Sequence, residues 1–336
     1  MTDLLDVPEP LSKAFAGAIC DLDGVVFVGT NAVPKAAETI AAAEAAGLRV
    51  VYLTNNASRS PQEVASKLTG FGIAASPAQV VTAAIAGATR LATDLPPGSK
   101  VLIVGHNGLI EAVKEAGLEP VFQAKDQPVA VIQGWGPNVG WAELAQATYA
   151  IQAGARYYAT NLDKTLPTEE GFAPGNAALI SAVTMATGIS PMAGGKPDPA
   201  IFHLAAERAG TDRPLVIGDR LDTDLAGARA AGHPGLMVLT GVNTLVDACL
   251  APLAHRPSLI ARSIEALNWP HRAPKWSGER WVLADAAAWW DRAARAVRVQ
   301  VGSNADQAIR VVVQAAWDAV DRGQTLAATS LPTGFY

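Results

Sequence analysis

The stretch AGAICDLDGVVFV, residues 16–28, decides the fold. Its apolar run Ala18-Ile19-Cys20 has the character of a strand buried on both faces. Asp21-Leu22-Asp23-Gly24 then ends that run with two carboxylates and a glycine. In open α/β sheets ligands bind beyond the carboxyl ends of the strands, where alternate residues can aim at one point and glycine permits a sharp turn. Taken alone, the tetrapeptide is also compatible with a solvated Asp-Gly turn.

Outward from this strand the pattern repeats. PKAAETIAAAEAAGL (34–48) reads as a helix with Pro34 at its start and Gly47 at its end, RVVYLTNN (49–56) as a second strand, and PQEVASKLTGFGI (61–73) as a helix opened by Pro61. A further series follows from about Val81 to Gly188, with strand-like KVLIVG, PVAVIQGW and ARYYAT separated by helical GLIEAVKEAGL and WAELAQATYAIQAG. From about Met192 the first style resumes, with a helix in GKPDPAIFHLAAERAG, strands in RPLVIGDR and GLMVLTG, and a helix in DTDLAGARAAG. Strands alternating with helices predict an α/β fold with a mainly parallel sheet.

Three more strand ends carry chemistry. Thr54-Asn55-Asn56 offers a hydroxyl and successive N–H groups, a short anion cradle that is also common turn chemistry. Lys196, in Gly194-Gly195-Lys196-Pro197-Asp198-Pro199, could neutralise phosphate as a point cation, or be a solvated loop lysine. Asp219, Asp222 and Asp224 crowd three carboxylates into six residues, where a helix N-terminus could satisfy Asp222 and a divalent cation better explains Asp219 with Asp224.

Composition narrows the function classes. The chain has 336 residues, half of them hydrophobic and 17% charged, enough for about two domains with full cores. A net charge of -5 with scattered Lys and Arg leaves no footprint for nucleic acid or an anionic membrane. The opening MTDLLDVPEPLSKAFAG lacks a secretory pattern, and the apolar runs fall short of the roughly 20 residues a membrane helix needs, so a cytoplasmic location is expected. Cys20 and Cys249 match no metal or redox spacing and are expected to be buried thiols. VGHNG (104–108) lacks both the dinucleotide glycines and the phosphate-loop lysine, and reads as a strand-to-helix turn.

Asp21, Thr54, Lys196 and Asp219, in that order, resemble the four motifs of the haloacid dehalogenase-like hydrolase superfamily, over about residues 15 to 262. The resemblance implies a Rossmann-like parallel-sheet core, 1–82 and 188–262, interrupted by an inserted α/β cap of the C2 type, 83–187, as in the subclass IIA phosphatases. The tail, 263–336, would be a small C-terminal extension, partial acetyltransferase-like by analogy, although no pyrophosphate loop for CoA is present.

The resemblance also implies a mechanism. Asp21 attacks phosphorus and forms an aspartyl phosphate. Asp23 protonates the leaving alkoxide and then activates water. Mg²⁺ is held by Asp21, Asp219 and the main-chain carbonyl of Asp23, with Asp224 orienting the ligands from behind. Thr54, the Asn55 N–H and Lys196 hold the phosphoryl oxygens. Thr160-Asn161-Leu162-Asp163, followed by Leu166-Pro167, matches the cap segment that covers the leaving group, which places Asn161 and Asp163 at the substrate.

The substrate is then expected to be a small phosphorylated metabolite, glycerol 3-phosphate first, with a pyridoxal phosphate or UMP-type phosphatase as the alternative and a non-catalytic phosphometabolite sensor behind both. Few cap aromatics are available to stack on a flat ring, but Trp135, Tyr157 and Tyr158 keep that alternative open. Six of the eight tryptophans lie between Trp269 and Trp317 and are expected to pack as core, with a helix in DQAIRVVVQAAWDAVDRG. A homodimer through the cap or the extension is an expectation by analogy.

Overall fold

In the computed structural model, which describes residues 3–168 and 170–334 with the side chains of 167 and 168 excepted, the deciding stretch forms the strand Gly17–Asp21, buried along its whole length. The chain divides into two compact units, Met1–Val50 with Ala209–Tyr336, and Val51–Arg208.

In the first unit four parallel strands lie in the order Leu259–Ala261, Gly235–Val238, Leu215–Gly218, Gly17–Asp21. Ile19 is opposite Val216 and Cys20 opposite Ile217, so Asp21 and Asp219 leave adjacent strands at the same carboxyl edge. Every position of these strands is buried, which explains continuous apolar runs in place of alternation. Helix Ala36–Ala45 starts two residues after Pro34, because Lys35 takes the left-handed conformation with φ 60°. The stretch after Asp219 differs from the single expected helix: Leu221–Leu225 forms a wide, π-type turn before the short helix Ala226–Ala230.

The tail joins this unit. Strands Lys275–Trp276, Trp281–Leu283, Ala286–Asp291 and Ala296–Gln300 make an antiparallel sheet, and the amphipathic helix Ala305–Asp321 packs on it. Asn304 caps that helix, its Oδ1 accepting from the N–H groups of Asp306 and Gln307. Ile309, Val312 and Trp317 share one apolar core with Leu225, Met237, Cys249 and Ile260 of the parallel-sheet body. Trp317 donates from Nε1 to Ala248 O at 2.9 Å, and Arg256 lies over its ring while gripping Asp321 at 2.8 and 3.0 Å. Core packing thus holds for Trp317 and Trp281, whereas Trp269 is 66% exposed and Trp276 42%.

His271 ties the N-terminal segment into the same unit. It is buried, its Nδ1–H donating to Leu5 O at 2.9 Å and its Nε2 accepting from Ile260 N–H at 3.1 Å. Burial, with the Arg310 charge adding to it, pulls its pKa from 6.5 down to about 3. The unfolded chain therefore takes up a proton near pH 6.5 that the folded one refuses, so stability contributed by neutral His271 is present above pH 6.5 and is lost as pH falls from there. Urea unfolding at pH 7 and 5.5 should show a loss of about 1 kcal/mol, with a shallower pH slope in His271→Gln.

In the second unit five parallel strands run in the order Met192–Ala193, Arg156–Ala159, Ala130–Gln133, Lys100–Val104, Glu119–Val121. The strand Arg49–Thr54 carries the chain into this unit and pairs in parallel with Val80–Thr82, Thr54 opposite Thr82. Helix Pro61–Gly70 starts at a capping box in which Glu63 Oε2 accepts from Ser60 N–H at 2.7 Å. VGHNG is a strand-to-helix turn, with helix Asn107–Glu115 following His106. A hairpin, Thr165–Thr168 with Gly171–Pro174, precedes helix Asn176–Thr187. Among the described residues no helix is long and apolar enough to cross a membrane. The parallel sheets and surrounding helices establish the α/β class with a Rossmann-like core.

Candidate active site

At the carboxyl edge of the first unit's sheet, Asp21, Asp219 and Asp224 each present a carboxylate oxygen within 4.8 Å of the others, and all three residues are buried. At that spacing each pair of charges repels by about 3 kcal/mol at an effective dielectric of about 20. Three hard oxygen donors so placed fit an oxygen-seeking divalent cation.

The surrounding backbone fixes the carboxylates. Val242 N–H donates to Asp219 Oδ2 at 2.6 Å and Asn243 N–H to Asp219 O at 3.3 Å, while Asn243 Oδ1 accepts from Leu221 N–H at 2.8 Å. Asp224 Oδ2 accepts from Arg220 N–H at 3.1 Å, a bond the wide turn makes possible by bringing residue 224 back over 220. Asp222 turns away to Arg220, with N–O distances of 3.2 and 3.0 Å. Thus the turn sorts the three carboxylates, bringing an Asp224 oxygen within 4.8 Å of those of Asp21 and Asp219 and turning Asp222 away.

Gly24 makes the crowding possible. It has φ +86°, and a Cβ there would stand 2.5 Å from Asp219 Cγ and Oδ2. Thr240 Oγ1 donates to Gly24 O at 2.5 Å, and Gly24 N–H donates to Phe27 O at 2.8 Å. Asp23 lies in this turn with its side chain exposed, outside the carboxylate trio.

The second unit assembles the remaining candidates. Thr54, Lys196 and Asn161 are buried, Asn55 and Asp163 half-buried. Thr54 Oγ1 accepts from Asn56 N–H at 3.1 Å, shaping the cradle loop. Asn55 grips the main chain of Lys196 at both ends: its Oδ1 accepts from Lys196 N–H at 2.9 Å and its Nδ2 donates to Lys196 O at 3.2 Å. The same Nδ2 donates to Asp163 Oδ1 at 3.1 Å. Asn161 Nδ2 donates to Asn55 O at 2.7 Å, and its Oδ1 accepts from Asp163 N–H at 3.1 Å. The glycine at 195 is needed for this approach, since a Cβ would stand 2.8 Å from Asn55 Oδ1 and 3.2 Å from Asn161 Cβ. The side chain of Pro167 lies outside the described residues.

Sequence reasoning missed the loop Thr240-Gly241-Val242-Asn243, whose signal was polar and glycine residues directly after a buried strand. It also missed Asn176, whose Nδ2 donates to main-chain carbonyls remote in sequence, and Gln133, whose Oε1 accepts from the Tyr157 hydroxyl; neither leaves a local pattern.

Comparison with known proteins places this geometry. Residues 18–119 match the haloacid dehalogenase-like hydrolase family, and residues 193–267 match a HAD-hydrolase-like family. A D-glycerol 3-phosphate phosphatase of Mycobacterium tuberculosis is 45% identical over 250 residues, 74% of this chain and 70% of that protein. An acid sugar phosphatase of Staphylococcus aureus is 37% identical over 237 residues, 70% of this chain and 90% of that one. Crystal structures of a glycerol phosphate phosphatase from M. tuberculosis, with calcium and with magnesium, superpose with TM-scores of 0.86 and 0.83 at 38% and 39% identity. They cover 96% and 94% of this chain, and 94% and 93% of theirs. With these relatives, the strand-edge carboxylates and the parallel-sheet core, the chain belongs to the haloacid dehalogenase-like hydrolases, and its structural neighbours are their subclass IIA phosphatases.

Proposed function

We propose that the protein is a Mg²⁺-dependent phosphatase that hydrolyses a small phosphomonoester, glycerol 3-phosphate first, to the alcohol and inorganic phosphate. The observation that carries this reading is the buried trio Asp21, Asp219 and Asp224 at the carboxyl edge of the parallel sheet. When bound there, Mg²⁺ would neutralise the carboxylates and draw charge from a phosphoryl oxygen. Asp21, Asp219 and the main-chain carbonyl of Asp23 are the proposed ligands, with Asp224 as a further donor or as the group that orients them.

The chain's own residues then carry the reaction. An Asp21 oxygen bonds to phosphorus while the bond to the alkoxide breaks, and Asp23 gives its proton to that alkoxide. Asp23, now a carboxylate, takes a proton from water, whose oxygen attacks the same phosphorus and releases phosphate and free Asp21. Thr54, the Asn55 N–H and Lys196 hold the equatorial oxygens, where charge spreads in the transition state. Asn161 and Asp163 belong to the segment facing the leaving group. In this reading residues 1–82 and 188–262 are the catalytic core, 83–187 the cap and 263–336 a C-terminal extension. A cytoplasmic location fits the buried thiols Cys20 and Cys249.

Tyr157 and Tyr158 bear on the substrate. Both are buried in their strand, with hydroxyls spent on Gln133 at 2.5 Å and Asp94 at 3.0 Å. Neither is available to stack on a pyridoxal or uracil ring, which leaves half-buried Trp135 of the three and favours a small aliphatic phosphate. Phosphate release from glycerol 3-phosphate, phosphoglycolate, pyridoxal phosphate and UMP, with Mg²⁺ or EDTA, checks the reading. The expected result is a kcat/KM for glycerol 3-phosphate at least about tenfold above the ring substrates, lost in EDTA. A preference for pyridoxal phosphate or UMP would install the alternative.

Trp141 and Met185, 80% and 87% exposed on neighbouring helices of the second unit, support a homodimer through the cap, to be read by sedimentation.

A further inference from the structure

The phosphate-side residues of the second unit rest on a lock of three asparagine amides, of which the innermost, Asn176, is no part of the four motifs. Asn176 is 1% exposed at the start of helix Asn176–Thr187. Its Nδ2 donates to two main-chain carbonyls, Asn161 O at 3.0 Å and Gln133 O at 3.2 Å. Asn161 in turn donates to Asn55 O, and Asn55 holds Lys196 N–H, Lys196 O and Asp163 Oδ1. Three chain segments, around 55, 161 and 196, are thereby joined to each other and to the strand end at Gln133.

The chemistry of the partners fixes the orientation of each amide. Asn176 faces two carbonyls, so its NH₂ must point there. Asn161 faces a carbonyl on one side and an N–H on the other. Asn55 faces Lys196 N–H with its oxygen, and Lys196 O with its nitrogen. No flipped arrangement satisfies these groups. Inside the unit Gln133 is itself held, its Oε1 accepting from Tyr157 Oη at 2.5 Å. Gln133 Nε2 and Asn176 Oδ1 are buried without a protein partner among the described residues. Leaving such atoms unmet is costly, so a core chosen for stability alone would replace these amides with apolar groups.

We propose that Asn176, supported by Gln133, is a positioning residue that sets Lys196 and Asp163 through Asn161 and Asn55, so that the cap segment and the phosphate lysine move as one piece. This rests on the phosphatase reading above and deepens it. Asp163 is then part of the lock through its bond to Asn55, and its loss acts on turnover of every phosphate ester rather than on the affinity for one leaving group.

The test uses the full chain with Mg²⁺, two substrates and three Asn176 variants beside Asp21→Asn. Asn176→Asp preserves shape but sets a carboxylate oxygen against two carbonyls. Asn176→Ala removes the donors, and Asn176→Ser, which can keep one, is the milder change. Turnover of glycerol 3-phosphate and of p-nitrophenyl phosphate is measured with the inhibition constant of inorganic phosphate and the melting temperature. The expected result is a kcat lower by about 10- to 100-fold on both substrates, in the same ratio, with phosphate inhibition weakened about tenfold and Asn176→Ser partly restored. If the first two variants do not fold, Asn176→Ser alone must still lower both kcat values and weaken phosphate. Folded variants with wild-type kcat and phosphate affinity, or a loss confined to KM of one substrate, would overturn the proposal. Wild type that turns over neither ester overturns the phosphatase reading itself. Wild type active and Asp21→Asn inactive, beside unaffected Asn176 variants, overturns this inference alone.

Discussion

Asp21→Asn is expected to lose at least about 10⁴-fold in kcat on every phosphate ester while melting within a few degrees of wild type in the presence of EDTA. The carboxamide has nearly the same shape as the carboxylate, so the strand Gly17–Asp21 and its register against Leu215–Gly218 should persist. What disappears is the nucleophile, and with it one of the three carboxylates clustered within 4.8 Å. Removing a charge from that trio also relieves repulsion, so the metal-free variant should be at least as stable as wild type. Stopped assays with a thermal melt check both halves. Retained turnover in the folded variant would remove Asp21 from the chemistry, and a large fall in melting temperature would make its role structural.

Gly24→Ala should also be damaging, for a different reason. The residue sits at φ +86°, where a Cβ is strained, and that Cβ would stand 2.5 Å from the Asp219 carboxylate. Adopting the left-handed conformation costs about 1 to 3 kcal/mol. The overlap cannot be relieved by rotating Asp219 freely, because Val242 N–H holds its Oδ2 and Gly241 Cα lies 3.0 Å from the same Cβ. The expected outcome is a fall in kcat/KM of about 10²-fold, near 2.7 kcal/mol of lost transition-state stabilisation, with a raised Mg²⁺ requirement. Magnesium titration of activity, beside urea unfolding, separates the two effects. Wild-type activity at the wild-type Mg²⁺ concentration would show that Asp219 does not depend on this turn.

Why these carboxylates were legible in the sequence, and others not, has a physical basis. A buried parallel strand is a dense local signal, and its end is where polar residues become permissible, so Asp21, Thr54 and Asp219 stood out by position. Among Asp219, Asp222 and Asp224, the sequence already sets Asp222 apart as a cap and pairs Asp219 with Asp224, but it does not show the turn that separates them. The wide turn Leu221–Leu225 delivers Asp224 inward and Asp222 outward, and nothing local announces such a turn. In the tail, Ala286-Ala287-Ala288 is a buried strand although alanine favours helix, with Ala286 and Ala288 in the apolar core shared with the helix Ala305–Asp321. Gln133, Asn176 and Asn243 were invisible for a third reason: each meets partners brought close only by tertiary folding.

The phosphoryl transfer to Asp21 is tested most directly by trapping it. Enzyme mixed with radiolabelled p-nitrophenyl phosphate, whose leaving group needs no proton from Asp23, and Mg²⁺ is quenched in acid during turnover, and the labelled peptide is identified, with Asp23→Asn included to slow breakdown of the intermediate. Label on the peptide carrying Asp21, stronger in Asp23→Asn and absent from Asp21→Asn, is the expected result. Phosphate release without any protein-bound label, in both active forms, would mean that water attacks the ester directly and that Asp21 is not the nucleophile.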